Sequence, residues 1–220
     1  ENNNMNTNSA RRQMVEQQVR TWDVFDADVL NAMGSVARDM FVPAELRNVA
    51  YADAEIPLPH HQCMLRPSLA GKVVQALDIK ATDDVLEVGT GSGYLTACIA
   101  GIAGTVTSID IYNDFIQSAK EKLADCGIEN ATLQQMDAMS ELPPGRFDAI
   151  ALTGSVSQLD ERFINALKPG GRLFIVIGVA PAMTATLITA GDDGVATAEE
   201  LFETNIPPLV FNDEQPVFSF

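Results

Sequence analysis

One stretch constrains the fold of this chain more than any other. Val85-Leu86-Glu87-Val88 is a short, largely apolar run, and it passes directly into Gly89-Thr90-Gly91-Ser92-Gly93 and a helical pattern opening at Tyr94. Such a run bounded by glycines reads as a buried strand. The glycines let the backbone turn sharply and let a ligand approach its amide groups, with the following helix N-terminus aimed at it. A dinucleotide fingerprint places its third glycine where this chain has Tyr94, so the spacing here is Gly-x-Gly-x-Gly. Asp110 lies 21 residues beyond Gly89, at the end of a second predicted strand followed by Ile111. A carboxylate in that place accepts hydrogen bonds from ribose hydroxyls. Gln135-Met136-Asp137-Ala138 closes a third strand, from which Asp137 reaches the point where strand order reverses and an adenine amino group is within reach. Strand, glycines, helix, strand and acid together point to a nucleoside-bearing ligand. A tight turn with no ligand is the bland alternative.

The rest of the chain repeats that grammar. Leu69, Ala70, Val73, Val74 and Leu77 form one apolar helical face after Pro67, and Ile116, Ala119 and Leu123 form another. Further strands are predicted over residues 105–110, 131–136, 147–153 and 171–177, with a helix over 160–167. Strand and helix in strict turn give an α/β class with a doubly wound, mostly parallel sheet. Late strands are predicted near residues 182–189, 199–203 and 206–211. The Asp192-Asp193-Gly194 turn makes the first two an antiparallel edge hairpin. Residues 1–9 read as a disordered or cloning-derived tail, and residues 10–220 as a single domain. Within it, residues 10–66 are an N-terminal helical cap plus a loop, and 67–220 the α/β core. Asp26 is placed to cap a helix carrying Val29, Leu30 and Met33. Residues 51–67, with Pro57, Pro59 and Pro67, read as an irregular loop.

Composition narrows the function classes. Fourteen basic residues against 30 acidic ones leave a net charge of −16, which repels phosphate backbones and argues against nucleic-acid partners. No apolar run is long enough to span a membrane. Three scattered cysteines do not make a disulfide framework, so a cytoplasmic globular protein is expected. His60, His61 and Cys63 lack a fourth ligand for a metal, and no metal is expected. Cys63 as a nucleophile lacks a separate base and acid, so a polarizable packing residue facing the cofactor is the expectation. The Gly-x-Ser-x-Gly and Gly-x-x-x-x-Gly-Lys motifs of hydrolases and P-loop proteins do not occur.

The segments at Glu87 to Gly93, Asp110, Asp137, Phe147-Asp148-Ala149-Ile150 and Leu167 to Leu173 resemble the successive motifs of S-adenosylmethionine-dependent methyltransferases. The first half is similar to the protein-L-isoaspartate O-methyltransferase family. The matching residues are Arg38-Asp39-Met40-Phe41-Val42-Pro43-Ala44-Glu45-Leu46-Arg47, Ala50-Tyr51-Ala52-Asp53 and Ile56-Pro57-Leu58, with Ile206-Pro207-Pro208-Leu209 resembling the closing strand. The likeness runs from about Ala10 to Leu209. It implies a Rossmann-like methyltransferase fold and S-adenosyl-L-methionine as cofactor, held by Glu87, Gly89, Thr90, Gly91, Ser92, Gly93, Asp110, Ile111, Asp137 and Ala138. It also implies methylation of the free carboxylate of isoaspartyl residues in damaged proteins or peptides. His60, His61, Gln62, Cys63 and Met64 would then bind the acceptor.

One departure falls in that acceptor loop. Where the family usually reads Gly-His-Gly-Gln-Thr-Ile-Ser-x-Pro, this chain has Pro59-His60-His61-Gln62-Cys63-Met64-Leu65-Arg66-Pro67. Gln62 and Pro67 keep the register, so Leu65 takes the place of the serine that the resemblance sets beside the transferred methyl. Leucine donates no hydrogen bond, and Arg66 is the candidate replacement because a guanidinium fork matches a carboxylate. Three alternatives follow: an acceptor that is another carboxylate or small molecule, a cofactor-binding module without turnover, or a nicotinamide-dependent hydride-transfer enzyme. Nothing in the sequence speaks to oligomeric state.

Overall fold

The computed structural model describes residues 2–211, with side chains from residue 6 onward. A seven-stranded sheet forms the centre, in the order β5 (Ala131–Gln135), β4 (Thr105–Asp110), β3 (Asp84–Val88), β6 (Phe147–Val156), β7 (Leu167–Val179), β8 (Ala182–Ala190) and β9 (Ala196–Thr204). The pairs from β5 through β7 are parallel, whereas β7–β8 and β8–β9 are antiparallel. The chain therefore runs outward from β3 to β5 and then returns to β6 on the other flank. That makes the β3/β6 boundary the switch point, above whose carboxyl ends ligands bind in open α/β sheets. The predicted doubly wound sheet with an antiparallel edge is observed.

Strand alternation sorts the core. Val85 joins one buried cluster with helices α2 (Ala27–Ser35), α3 (Pro67–Leu77), α4 (Tyr94–Ala100) and α5 (Asn113–Asp125). Leu86 and Val88 join a second cluster on the opposite face, with Phe163 of α6 (Glu161–Asn165). Met14, Val19, Val24 and Met33 belong to the first cluster, and the N-terminal segment packs against α3 and α2, the helices that cover this face of the sheet. Asp26 caps α2 as expected, accepting from the amides of Asp28 and Val29 at 2.9 and 3.1 Å. Replacing Asp26 with alanine should lower the unfolding free energy by about 1 kcal/mol, read from a denaturant midpoint shift at constant slope.

Three expectations are corrected. Residues 1–9 lie largely within helix α1 (Asn2–Gln13); polar residues can extend a helix already anchored at Met14, and Arg11 bonds Asn8 one turn back. Beyond it, Met14–Val19 is a π-helical turn. Residues 51–67 are not uniformly irregular, because β1 (Ile56–Leu58) pairs antiparallel with β2 (Gln62–Met64). Residues 206–211 do not form a strand. They lie along β6 through one parallel bridge, Ser155 to Pro208, because Pro207 and Pro208 carry no amide hydrogen to continue a ladder. Among the described residues, no helix is long and apolar enough to cross a membrane.

Candidate active site

The glycine segment turns off β3 with Gly89, Gly91 and Gly93 at φ of +98°, +52° and +87°. Two of these positions have no room for a side chain. A Cβ on Gly89 would stand 2.1 Å from Thr153 Oγ1, and one on Gly93 would stand 2.9 Å from the Ala119 Cβ. Thr153 Oγ1 lies within hydrogen-bond distance of the Val88 and Gly89 carbonyls (3.0 and 2.8 Å), clamping the loop to β6. Asp110 pins it from β4: its Oδ2 accepts from the Gly91 amide at 2.9 Å, and its Oδ1 from the Tyr112 amide at 3.0 Å. Burial pushes the Asp110 carboxyl above the ordinary range, and those two amides pull against that push. An acidic side chain is thereby held at the rim of the cleft.

That cleft encloses about 950 Å³, its open mouth included, and lies above the β3/β6 boundary. Gly89, Thr90, Gly91, Ser92, Asp110, Ile111 and Ala138 line it, and so do Gln62, Cys63, Met64 and Leu65 from the opposite side. Cofactor and acceptor candidates thus face one space. Glu87 and Gly93 are not lining residues; they shape the loop from beneath. Glu87 is fully buried, and its Oε1 accepts from Thr96 Oγ1 and Ser108 Oγ. Asp137 is not a lining residue either. Its Oδ1 accepts from the Met139 amide at 2.9 Å, while its neighbours Met136 and Ala138 form the wall.

The loop expected to take the acceptor is the β1–β2 ribbon. Its turn closes with the Gln62 amide donating to the Pro59 carbonyl at 3.2 Å, and His60 and His61 occupy it at φ of 60° and 56°. Both histidines therefore lie in a left-handed turn rather than in an extended segment. His60 leaves the acceptor side: its ring stacks on Tyr112 at 3.9 Å, and its Nε2 sits 2.8 Å from Asp114 Oδ2. His61 lines a shallower groove beside the cleft, with Glu55, Pro57 and Pro207. Burial first, and the Glu55 carboxylate second, push the Cys63 thiol up to about 11, which keeps it a neutral packing group. Arg66 is exposed at the start of α3 and is not a lining residue of the cleft. Among the described residues, no group of three His, Cys, Asp or Glu side chains could hold a metal ion.

Several residues that hold the site were not singled out from the sequence as site residues. Arg38 is fully buried; its Nε donates to the Ala50 carbonyl at 2.8 Å and its Nη2 to the Leu65 carbonyl at 2.9 Å. Its guanidinium lies 4.6 Å from the centre of the Tyr94 ring. Asp53 accepts from the Ser68 amide and hydroxyl at 3.0 and 2.9 Å, fixing the first turn of α3 beyond the loop. Arg38 and Asp53 sit inside the stretches that carry the family-specific resemblance, which was the available signal. Tyr112, Phe115, Thr153 and Leu209 complete the cleft walls.

Comparison with known proteins follows the same line. Residues 9–213 match the family described as protein-L-isoaspartate(D-aspartate) O-methyltransferase. The chain is 34% identical over 204 residues to protein-L-isoaspartate O-methyltransferase 1 of Rhodopseudomonas palustris strain HaA2, covering 91% of this chain and 82% of that one. It is 32% identical over 213 residues to the protein-L-isoaspartate O-methyltransferase of Brucella anthropi, covering 96% and 98%. The fold is similar to a Plasmodium falciparum crystal structure described as a protein-L-isoaspartate O-methyltransferase in complex with S-adenosyl-L-homocysteine. The TM-score is 0.78 at 22% identity, covering 91% of this chain and 98% of that one.

Proposed function

We propose that this chain, which belongs to the protein-L-isoaspartate(D-aspartate) O-methyltransferase family, transfers the methyl group of S-adenosyl-L-methionine to the free carboxylate of isoaspartyl residues in proteins or peptides. The observation that carries the reading is the single cleft on which the glycine loop, Asp110 and residues 62–65 converge. The residues fit the cofactor. Gly89 and Gly91 bring bare backbone to the cleft lining, Asp110 offers buried carboxylate oxygens, and Ile109, Ile111, Met136 and Ala138 give apolar walls for a flat base. In this reading Gly89, Thr90, Gly91 and Ser92 cradle the amino-acid portion, Asp110 and Ile111 take the ribose, and Met136 and Ala138 border the adenine, with Asp137 holding the turn between them. Glu87 and Gly93 support the loop from below. The cofactor supplies a methyl group on a positively charged sulfonium.

The chain's own contribution is orientation. An α-carboxyl titrates near ~3.5, so the nucleophile is already ionised at neutral pH and needs no base. That suits a cleft with no lysine or histidine among its described lining residues. Opposite charges neutralise as the methyl moves, so alignment and exclusion of water matter more than stabilising new charge. Arg38 and Asp53 fix the two ends of the segment that carries Leu65. The net charge of −16 supports a peptide or protein acceptor over a nucleic acid, and the free cysteines among the described residues support a cytoplasmic setting.

Leu65 lines the cleft where the family resemblance places a hydroxyl, and this favours testing a second reading in which the acceptor is a different carboxylate. Addition of an isoaspartyl peptide should release S-adenosyl-L-homocysteine faster than any member of a panel of small carboxylic acids. A small acid that outruns the peptide establishes the second reading. Under the first, Leu65→Ser should raise kcat/KM for the peptide roughly tenfold, since one orienting hydrogen bond contributes about 1 kcal/mol or somewhat more.

A further inference from the structure

A polypeptide acceptor extends beyond its reacting residue, so its flanking residues need a path along the surface. One path is continuous with the cleft. The shallow groove beside it shares Gln62, Cys63 and Pro207 as lining residues, which makes the two one depression. The opposite side of the cleft is formed by the glycine loop, Asp110 and Ile111, where the reading given above places the cofactor.

The β1–β2 ribbon joins cleft and groove. Ile56 pairs with Met64, and both are buried on the face turned to the core. Alternation sets the next pair, Pro57 with Cys63, on the outer face. Glu55 and Leu65 flank the Ile56–Met64 pair, so the same alternation brings them to that outer face. Leu65 and Cys63 line the cleft, while Cys63, Pro57 and Glu55 line the groove. After burial, the Glu55 carboxylate is the group that pushes the Cys63 thiol up, so these two side chains are neighbours. A track therefore runs from Leu65 over Cys63 to a carboxylate.

The chemistry of the groove selects what can lie in it. Glu55 is exposed and forms no ion pair among the described residues. No lysine or arginine is among the described lining residues, and the His60 ring is drawn away to Asp114. The other imidazole, His61, stands at the exposed turn. Pro57, Leu58 and Pro59 add apolar surface beside the carboxylate. An aliphatic stem that ends in a cation matches that combination.

We propose that the groove takes the residues flanking the isoaspartate and that Glu55 is a specificity-determining residue, favouring acceptors with a lysine or arginine within two positions of the reacting residue and disfavouring those with an acid there. The inference rests on the isoaspartyl reading given above. Glu55 lies in the groove and not in the cleft, so it acts on acceptor binding: KM moves and kcat holds. The pair is exposed, so each charge on the acceptor changes kcat/KM by no more than about fivefold, and salt screens the effect. The rival account is the diffuse field of a chain with net charge −16, which draws any cationic peptide.

The test is a panel of isoaspartyl peptides, otherwise uncharged, that carry Lys, Gln or Glu at each of the two positions on either side of the isoaspartate. Initial rates are measured with the full chain and methyl-labelled S-adenosyl-L-methionine, at low salt and at about 0.5 M salt. At one or more of those positions Lys should exceed Glu by about tenfold in kcat/KM at low salt, through KM, and the high salt should remove most of the difference. Glu55→Gln should cut the preference to about twofold, and Glu55→Lys should reverse it. Glu199→Gln, which removes the same charge from the exposed edge strand β9, should leave the preference in place. The inference alone is overturned if the peptides are methylated with no preference at any flanking position, if the preference persists in both Glu55 variants, or if Glu199→Gln abolishes it as fully as Glu55→Gln. If no isoaspartyl peptide is methylated, whatever its flanks, while the cofactor binds, the isoaspartyl reading falls and this inference with it.

Discussion

Truncating Arg38 to alanine should lower the unfolding free energy by about 3–5 kcal/mol and the Tm by roughly 10 °C. The side chain is fully buried and forks between the Ala50 and Leu65 carbonyls, at 2.8 and 2.9 Å. Alanine leaves a cavity against Tyr94 and strands both carbonyls, each costing about 1–3 kcal/mol if water does not reach it. One effect runs the other way: burial pulls the Arg38 pKa down, and Nη1 has no hydrogen-bond partner among the described residues, so removing the charge relieves a desolvation cost. The cavity and the two carbonyls outweigh that relief. Arg38→Met separates the terms, because it refills much of the volume without restoring a donor; it should recover roughly half the loss. Both variants should also raise KM for an isoaspartyl peptide if the segment that Arg38 ties through the Leu65 carbonyl takes the acceptor as proposed. Thermal melts and initial rates on the same samples check the pair of effects.

Asp110→Ala should weaken S-adenosyl-L-methionine binding by about a hundredfold or more. A carboxylate bonding to two ribose hydroxyls contributes about 1.5–3 kcal/mol per charge-assisted bond, and each 1.4 kcal/mol is about tenfold in Kd. The variant also frees the Gly91 and Tyr112 amides that Asp110 now holds. Asp110→Asn keeps one accepting oxygen and the shape, so its loss should be smaller, about tenfold. The Asp110 carboxyl is raised by burial, so acidification protonates it before an ordinary aspartate and weakens binding from the acid side. Calorimetry gives the affinity. A melt of the unliganded variant tells loop loosening from loss of the ribose contact.

How much was legible in the sequence follows from how local each cause is. The turn from β3 through Gly89 to Gly93 could be read because positive φ and a Cβ clash are demands on single residues. Asp110 could be read because its place at the end of β4 follows from strand order alone. The ribbon at residues 56–64 was hidden by Pro57 and Pro59, which argue against a ladder, yet Pro59 falls in the turn and an isolated two-stranded ribbon tolerates Pro57 on an edge strand. Arg38 was hidden for a different reason. Arginine in a core is unexpected, and its partners are carbonyls 12 and 27 residues away that have no signature in side-chain identity. The His60–Asp114 contact spans 54 residues and exists only once the ribbon folds back onto α5. Asp137 shows the reverse: it follows β5 by two residues, but its carboxylate caps its own turn while its neighbours form the wall.

The most direct test of the central claim uses two peptides that differ only in one linkage, isoaspartyl or normal aspartyl. Each is incubated with the protein and methyl-labelled S-adenosyl-L-methionine, and the product is located by fragmentation mass spectrometry. The account predicts one added methyl on the isoaspartyl peptide, placed on the free α-carboxylate, and none on its twin. Equal labelling of both peptides, or none in either while the cofactor still binds, would contradict it.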